Sequence, residues 1–201
     1  TSCSSENSLV IVDAVRARLI AALQARGAVL LSGAQKAVLG RLMWPEGKLS
    51  PAVIGQSAST IAQNAGWNEI ARRKPCILMV EEDGIGKDHP FSGEKLCPVL
   101  TLYRAADFSQ AMQIVEGIYA FEGAGHSVGL HSAMPERALQ LGLNLPVSRV
   151  IVDQAHCIAT GGSFDNGLPF SLSMGCGTWG KNNFSDNMNF IISSPFKSTM
   201  V

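Results

Sequence analysis

Apolar side chains recur every three or four residues along the first third of the chain, as on one face of an α-helix. The first helix is expected directly after the opening residues and should stop at Gly27. A second is predicted from the N-cap Ser32 to Leu42. A third is predicted from the N-cap Ser57 to Gly66. The apolar positions that define the first helix are Val12, Val15, Leu19 and Leu23.

From Cys76 onward the pattern changes to short apolar runs, which are typical of strands buried on both faces of a sheet. Two helices separate them, one over 108–121 with Asp107 as N-cap, and one over 135–141 that ends before Gly142. Strands that alternate with helices predict an α/β fold with a parallel sheet and right-handed crossovers. The four predicted strands are 76–80, 99–103, 126–130 and 147–152.

The last forty residues have a different composition. Glycines stand among aromatic residues and asparagines between positions 161 and 180. This mixture indicates an irregular, glycine-rich C-terminal segment near a site more than another core element.

Composition limits the classes of function. The 201 residues include 16 basic and 16 acidic side chains, so the net charge is zero, and no nucleic-acid or membrane-surface affinity is expected. No apolar stretch approaches the roughly 20 residues of a membrane span. Five cysteines are scattered without a CxxC pair, which predicts no metal site and a reducing, cytoplasmic location.

Cys3 is the first candidate for chemistry. With Ser4 or Ser5 as N-cap, it would lie at the N-terminus of the first helix, where unpaired N–H groups and the helix dipole stabilise a thiolate. Such a thiolate would be a nucleophile. Position alone leaves open that Cys3 is an ordinary thiol.

Several short motifs, in order along the chain, resemble the aldehyde dehydrogenase superfamily and within it the CoA-acylating branch. Residues 3–6 resemble the Cys-x-Ser-Glu stretch around the catalytic thiol of that branch. Residues 90–100, followed by 103–105, are similar to its Glu-Lys-Leu-Ser-Pro segment and the strand behind it. Residues 123–127 and 173–180 match its Gly-x-Gly-His and Gly-Cys-Gly-Ser/Thr-Trp-Gly signatures.

The resemblance implies a set of roles. Cys3 would be the catalytic nucleophile, NAD or NADP the cofactor, and coenzyme A the acceptor of the acyl group. Glu94 would bind the ribose hydroxyls of the nicotinamide nucleotide. His126 could be a core imidazole or a donor to substrate or CoA. His156, on a loop behind a predicted strand, is a further candidate for that vicinity, although such residues often only line a loop.

The chain also departs from the family pattern. We find no G-x-G-x-x-G motif behind a strand, so residues 1–187 are expected to be the catalytic domain without the N-terminal cofactor domain. Residues 188–201 are expected to form a C-terminal tail, and its part 191–201 lacks a clear family likeness. Cys97 stands where the branch usually has serine, and Lys181 interrupts its usual Gly-Gly-Asn.

The resemblance predicts oxidation of a short aldehyde to its acyl-CoA by a homo-oligomeric enzyme. Three alternatives stay open. The chain could belong to a non-acylating aldehyde dehydrogenase, it could be a thiol-dependent acyl hydrolase, or it could be an inactive module that associates with itself.

Overall fold

A computed structural model describes residues 3–188, which form two compact units with a boundary between Glu122 and Gly123. We refer to residues 3–122 as unit 1 and to residues 123–188 as unit 2. Both contain parallel β-structure with helices, which confirms the predicted α/β class.

Unit 1 contains a four-stranded parallel sheet with the strand order β1-β4-β3-β2. Its register places Ser8 opposite Thr101 and Leu78 opposite Val99. Because all strands run the same way, the segments that lead into β1 and β4 lie at one edge of the sheet. The strands are β1 (Ser8–Val12), β2 (Ala28–Leu30), β3 (Ile77–Glu81) and β4 (Val99–Ala105).

Helices of unit 1 begin where the sequence places capping residues. Ser32 forms a capping box with Gln35, Ser57 accepts a hydrogen bond from the N–H of Thr60, and Asp107 accepts one from the N–H of Gln110. These contacts satisfy N–H groups that the first helical turn leaves unpaired. The helices are α1 (Asp13–Ala25), α2 (Gly33–Met43), α3 (Ala58–Asn64), α4 (Asn68–Arg72) and α5 (Phe108–Glu122), with single 3₁₀ turns at Pro45–Gly47 and Pro90–Ser92.

The sheet of unit 1 is covered on both faces. Alternate residues of a strand point to opposite faces, so Leu78 and Val80 join one apolar cluster while Met79 joins another. The first cluster includes Leu39 and Ile61 of the surrounding helices, both fully buried.

Unit 2 has a smaller framework. Two short parallel strands, β5 (Val128–Leu130) and β6 (Val150–Val152), pair with each other. Two helices accompany them, α6 (Glu136–Asn144) and α7 (His156–Ala159). After α7, the described part of unit 2 is irregular apart from a 3₁₀ turn at Thr178–Gly180. This agrees with the irregular C-terminal segment predicted from the glycine-rich composition.

The structure corrects the predicted beginning of the chain. Strand β1 lies between Cys3 and α1, so Cys3 is not at a helix N-terminus and neither Ser4 nor Ser5 is an N-cap. The apolar run of β1 continues directly into the apolar face of α1, which made the two elements look like one helix. Strand β2 was missed for a similar reason, because three apolar residues are too few to show a period.

Two further expectations are corrected. Within residues 3–188, the predicted strands fall in two sheets, since β5 and β6 pair with each other in a two-stranded sheet. Helix α6 runs through Gly142 to Asn144, because a glycine weakens a helix without necessarily ending it. The predicted tail at 188–201 lies outside the described residues except for Met188.

Candidate functional site

Cys3 lies in a turn ahead of β1, at the edge of the sheet where parallel strands begin. Its side chain is exposed, whereas the neighbouring Ser4 is only 3% exposed. The turn therefore directs Ser4 inward and presents the Cys3 thiol to solvent.

Asn7 anchors this turn to a segment that is distant in sequence. Its Oδ1 accepts the N–H of Lys95 at 3.1 Å, and its carbonyl oxygen accepts the N–H of Thr101 at 3.1 Å. Because Lys95 follows Glu94, these bonds join the segment that carries Cys3 to the segment that carries Glu94. Within unit 1, the two predicted site residues thus belong to adjoining segments at one edge of the sheet.

The side chain of Glu94 is exposed, and its backbone is held by a hydrogen bond to Glu122. Its N–H donates to Oε2 of Glu122 at 3.1 Å. Gly93 makes this approach possible, since a Cβ there would lie 2.8 Å from Oε1 of Glu122. The Glu94 carboxylate has no hydrogen-bond partner within residues 3–188.

Lys95 turns in the opposite direction and is fully buried. Its ammonium donates to the carbonyl oxygens of Phe91 at 2.9 Å and Gly93 at 2.8 Å. Burial lowers the pKa of Lys95 to about 8, although the negative charges of Glu122 and Glu94 oppose this shift. Its role is to fix the turn from which the Glu94 side chain projects.

Cys97 is half-buried, and burial raises the pKa of its thiol to about 11 despite the nearby Lys95. A thiol in this environment stays protonated and is a poor nucleophile. Cys97 therefore does not compete with Cys3 as a candidate nucleophile.

His126 and His156 lie together in unit 2. Ser127 stands between them, with its Oγ 2.6 Å from Nδ1 of His126 and 2.7 Å from Nε2 of His156. Burial, and next the positive charge of Arg149, lower the pKa of His126 below its ordinary value. His126 is therefore a neutral imidazole at physiological pH.

Two of the motifs of unit 2 pack against each other. Gly125 has φ of 106°, and a Cβ there would lie 2.3 Å from the carbonyl oxygen of Cys176 and 2.6 Å from the nitrogen of Gly180. Only glycine fits this position. The contact places the Gly-Cys-Gly-Thr-Trp-Gly motif directly beside the residue that precedes His126.

A buried arginine supports the same region. Arg149 is 5% exposed and donates from Nε to Oδ1 of Asn187 at 2.9 Å and from Nη1 to the carbonyl oxygen of Gly175 at 2.8 Å. Asn187 in turn donates to the carbonyl oxygens of Thr160 and Pro169. These hydrogen bonds hold the irregular segment after α7 in place, where few apolar side chains are buried.

Within residues 3–188, no group of three or more His, Cys, Asp and Glu side chains is arranged to hold a metal ion. No helix of that part of the chain has the length and apolar character to cross a membrane. All five cysteines fall in the described part, and each is a free thiol.

Sequence reasoning did not single out Asn7 in unit 1 or Ser127 in unit 2, which make contacts with residues of the candidate segments. Asn7 and Lys95 are 88 positions apart, and Ser127 and His156 are 29 apart. Polar residues so far apart in sequence leave no periodic signal. Only the motif around Lys95 and the pair His126-Ser127 pointed to these positions.

Comparisons with known proteins show what the chain is similar to. No protein-family model matches the sequence. The chain is 63% identical over 190 residues to the acylating sulfoacetaldehyde dehydrogenase of Cupriavidus necator, covering 94% of this chain and 38% of that protein. A probable aldehyde dehydrogenase from Listeria monocytogenes has a similar structure, with a TM-score of 0.86, 34% identity, and coverage of 93% of this chain and 41% of that one. An acetylating aldehyde dehydrogenase from Geobacillus thermoglucosidasius gives a TM-score of 0.84 at 28% identity, covering 94% of this chain and 41% of that one.

The chain thus spans about two fifths of the length of each of these three proteins. Both the sequence match and the structural match extend over nearly all of it. The chain is therefore homologous to a portion of the acylating aldehyde dehydrogenases, which confirms the resemblance of its motifs to that branch.

Proposed function

We propose that this chain is the catalytic portion of an NAD(P)-dependent, CoA-acylating aldehyde dehydrogenase, with residues 1–187 as its catalytic domain and 188–201 as a separate tail. The 63% identity to an acylating sulfoacetaldehyde dehydrogenase carries the proposal. The exposed Cys3, joined through Asn7 to the segment of Glu94, supports it.

In the proposed reaction, the Cys3 thiolate attacks the aldehyde carbonyl and forms a thiohemiacetal. Loss of hydride converts this adduct to a thioester on Cys3. The thiol of CoA then loses its proton and attacks the thioester carbonyl, the bond from the acyl carbon to the Cys3 sulfur breaks, and acyl-CoA and the Cys3 thiolate are released. The buried Ser4 and the anchored Asn7 hold the thiol in one place, which favours attack along a fixed direction.

Glu94 is the residue of this chain that fits a nicotinamide nucleotide. Its carboxylate is exposed and has no partner within residues 3–188, so it can accept hydrogen bonds from ribose hydroxyls. NAD or NADP, when bound, supplies the acceptor for the hydride. The buried Lys95 keeps the Glu94 backbone fixed for this contact.

For the substrate we propose a short aldehyde, with sulfoacetaldehyde as the first to be tested. The basis is the activity by which the Cupriavidus necator relative is named. We also propose that His126 and His156 lie in the vicinity of the substrate or CoA.

The decisive experiment measures NAD(P)H formation and acyl-CoA in the protein that carries this chain, with sulfoacetaldehyde, succinate semialdehyde and acetaldehyde. Cys3→Ala is expected to abolish both signals, because no other residue replaces the nucleophile. Cys76→Ala is the matched control, since Cys76 is also an exposed thiol and should leave activity unchanged.

Other products would replace the proposal by one of its alternatives. A free acid formed at the same rate without CoA would show a non-acylating dehydrogenase. Hydrolysis of an activated ester without either cofactor would show a thiol hydrolase. Activity that survives Cys3→Ala would remove Cys3 from the mechanism.

We further propose a homo-oligomer in the cytoplasm. Free thiols suit a reducing compartment. Large apolar side chains of unit 2, such as Leu139 and Leu143 on α6, are 65% and 75% exposed and would suit a contact with a second copy. Sedimentation of the wild type against the double variant Leu139→Glu/Leu143→Glu tests this, and an unchanged mass would contradict a contact through α6.

A further inference from the structure

The connection between β3 and β4, residues 82–98, carries Glu94, and the structure describes it in full. Apart from the 3₁₀ turn at Pro90–Ser92 it is irregular. A connection in a compact domain is usually about four to six residues long, and a much longer one without secondary structure is commonly functional. The contacts that hold this connection therefore determine how Glu94 is presented.

Glu82 gathers the first half of the connection around one carboxylate, which is 6% exposed. Its Oε1 accepts the N–H of Asp83 at 3.0 Å and that of Gly84 at 3.3 Å, and lies 3.0 Å from Nδ1 of His89. Its Oε2 accepts from Nζ of Lys36 on α2 at 2.8 Å. Burial raises the pKa of Glu82, but these hydrogen bonds outweigh burial and hold it below its ordinary value. An ionised carboxylate only accepts hydrogen bonds, so Nδ1 of His89 carries a proton.

From His89, a continuous series of hydrogen bonds leads to the turn of Glu94. Ser92 donates to the carbonyl oxygen of His89 from its N–H at 2.9 Å and from its Oγ at 2.7 Å. The carbonyl oxygen of Gly93, the next residue, accepts from the buried ammonium of Lys95 at 2.8 Å. The position of His89 therefore sets where the backbone of Glu94 begins.

Phe91 gives the same connection an apolar anchor. Its ring packs edge-on against Trp44, with the centroids 4.8 Å apart, and Nζ of Lys36 lies 5.6 Å from its centroid. Lys36 thus contacts both this ring and Glu82. A buried ion pair is often no more stabilising than apolar side chains of the same size, so we take the contribution of Glu82 to be the fixed geometry of its hydrogen bonds.

We propose that Glu82 is a positioning residue for the nicotinamide nucleotide, because by holding His89 it fixes the backbone from which Glu94 reaches the ribose hydroxyls. The inference rests on the proposed function, in which Glu94 makes that contact. Glu82 then affects the nucleotide and leaves the reactivity of Cys3 unchanged, since the turn of Cys3 is anchored separately through Asn7.

The test measures nucleotide binding and turnover in the protein that carries this chain. In Glu82→Leu, the Kd and KM for NAD(P) should rise about 10-fold, which corresponds to about one hydrogen bond to a carboxylate. The KM for the aldehyde and the rate of Cys3 alkylation should stay at wild-type values. Glu94→Ala should raise the nucleotide KM at least as much, and adding Glu82→Leu to it should have no further effect, because both changes act through one contact.

Hydrogen exchange provides a readout that needs neither nucleotide nor turnover. Amides of residues 83–93 should exchange faster in Glu82→Leu and at the wild-type rate in Glu94→Ala. The conservative variant is Glu82→Gln/Lys36→Met, which keeps an oxygen for the three donors of the connection and removes the ammonium that the new NH₂ group would face. It should restore both the exchange and the nucleotide KM.

Gly84→Ala keeps the test decisive if Glu82→Leu does not fold. A Cβ at Gly84 would lie 2.2 Å from Nε2 of His89, so it should push the ring away from Glu82 and raise the nucleotide KM in the same way. Glu81→Leu is the matched control, because Glu81 is an exposed glutamate that pairs with Arg16, and it should leave the KM and the exchange unchanged.

Two results would overturn the inference alone. One is an unchanged nucleotide KM in folded Glu82→Leu and Gly84→Ala protein. The other is a rise caused by Glu82→Leu that adds fully to that of Glu94→Ala, as a merely structural role would produce. A wild type that neither binds nor reduces NAD(P) would instead overturn the proposed function, and the role of Glu82 toward the nucleotide with it.

Discussion

The two units are stabilised by different kinds of contact. Unit 1 encloses a four-stranded sheet between two apolar clusters. Unit 2 has two three-residue strands, and most of the large apolar side chains that are exposed belong to it. In place of a large core, unit 2 has buried polar side chains that bind backbone carbonyls, chiefly Arg149 and Asn187.

This difference bears on how each unit presents its candidate residues. A covered sheet allows a short turn at its edge to hold Cys3 with one anchoring residue, Asn7. In unit 2 the histidines depend on a polar network, because the backbone around them is irregular. Such a network is strong only while each of its members is satisfied.

The largest effect is expected from a cavity in unit 1. Leu78 is fully buried in β3, one of the two inner strands, and packs in the first apolar cluster. Leu78→Ala should lower the free energy of unfolding by about 2–5 kcal/mol, through lost apolar contact and the cavity left behind. Urea unfolding followed by tryptophan fluorescence measures it, since Trp44 and Trp67 pack against that cluster.

The control for this cavity is Leu172→Ala, which removes the same atoms from a fully exposed side chain of unit 2. It should change the free energy of unfolding by less than about 0.5 kcal/mol. Equal losses from the two leucine variants would contradict the assignment of the main core to unit 1.

The second effect concerns the polar network of unit 2. Asn187→Ala leaves Nε of Arg149 and the carbonyl oxygens of Thr160 and Pro169 without their partner. The expected loss is about 1–3 kcal/mol, the cost of unsatisfied buried polar groups. Native-state hydrogen exchange should show faster exchange of amides in unit 2.

Asn144→Ala is the matched change, since Asn144 is an exposed asparagine of the same unit. Its exchange pattern should match that of the wild type. If Asn187→Ala also matches the wild type, the network does not hold the irregular segment, and unit 2 depends on its apolar contacts after all.

The secondary-structure elements that could be predicted from the sequence are those with a local signal. The helices with capping residues Ser32, Ser57 and Asp107 were placed correctly, because a cap is a local signal. Helix α6 has no side-chain cap, and its end was misplaced. Strand β1 was missed because its apolar run merges with that of α1.

For the candidate residues, motifs were informative and long-range contacts were not predictable. Cys3 and Glu94 are site residues by motif resemblance alone and stay predictions, and the helix N-terminus expected at Cys3 was wrong. The contacts that organise the site join residues far apart in sequence, such as Asn7 and Lys95. No local pattern encodes such a pair, so only the folded chain shows it.

The smallest effect tests a feature that unit 1 shares with unit 2. Lys95, like Arg149, is buried and donates to backbone carbonyls, two for Lys95 and one for Arg149, which also donates to the Asn187 side chain. Burial lowers its pKa from 10.5 to about 8, so above pH 8 the unfolded chain binds this proton more tightly than the folded one. The free energy of unfolding should therefore gain a contribution that grows as pH rises.

Comparison with Lys95→Met isolates that contribution. Between pH 8 and pH 9, the wild type should gain about 1 kcal/mol relative to Lys95→Met, since one pH unit corresponds to about 1.4 kcal/mol for a fully titrating group. Lys87→Met, at an exposed lysine, should follow the wild type across the same range. Urea unfolding at both pH values measures the difference. If the gap between wild type and Lys95→Met stays constant, Lys95 keeps its proton in the folded state, and its two carbonyl partners stabilise the cation as well as water does.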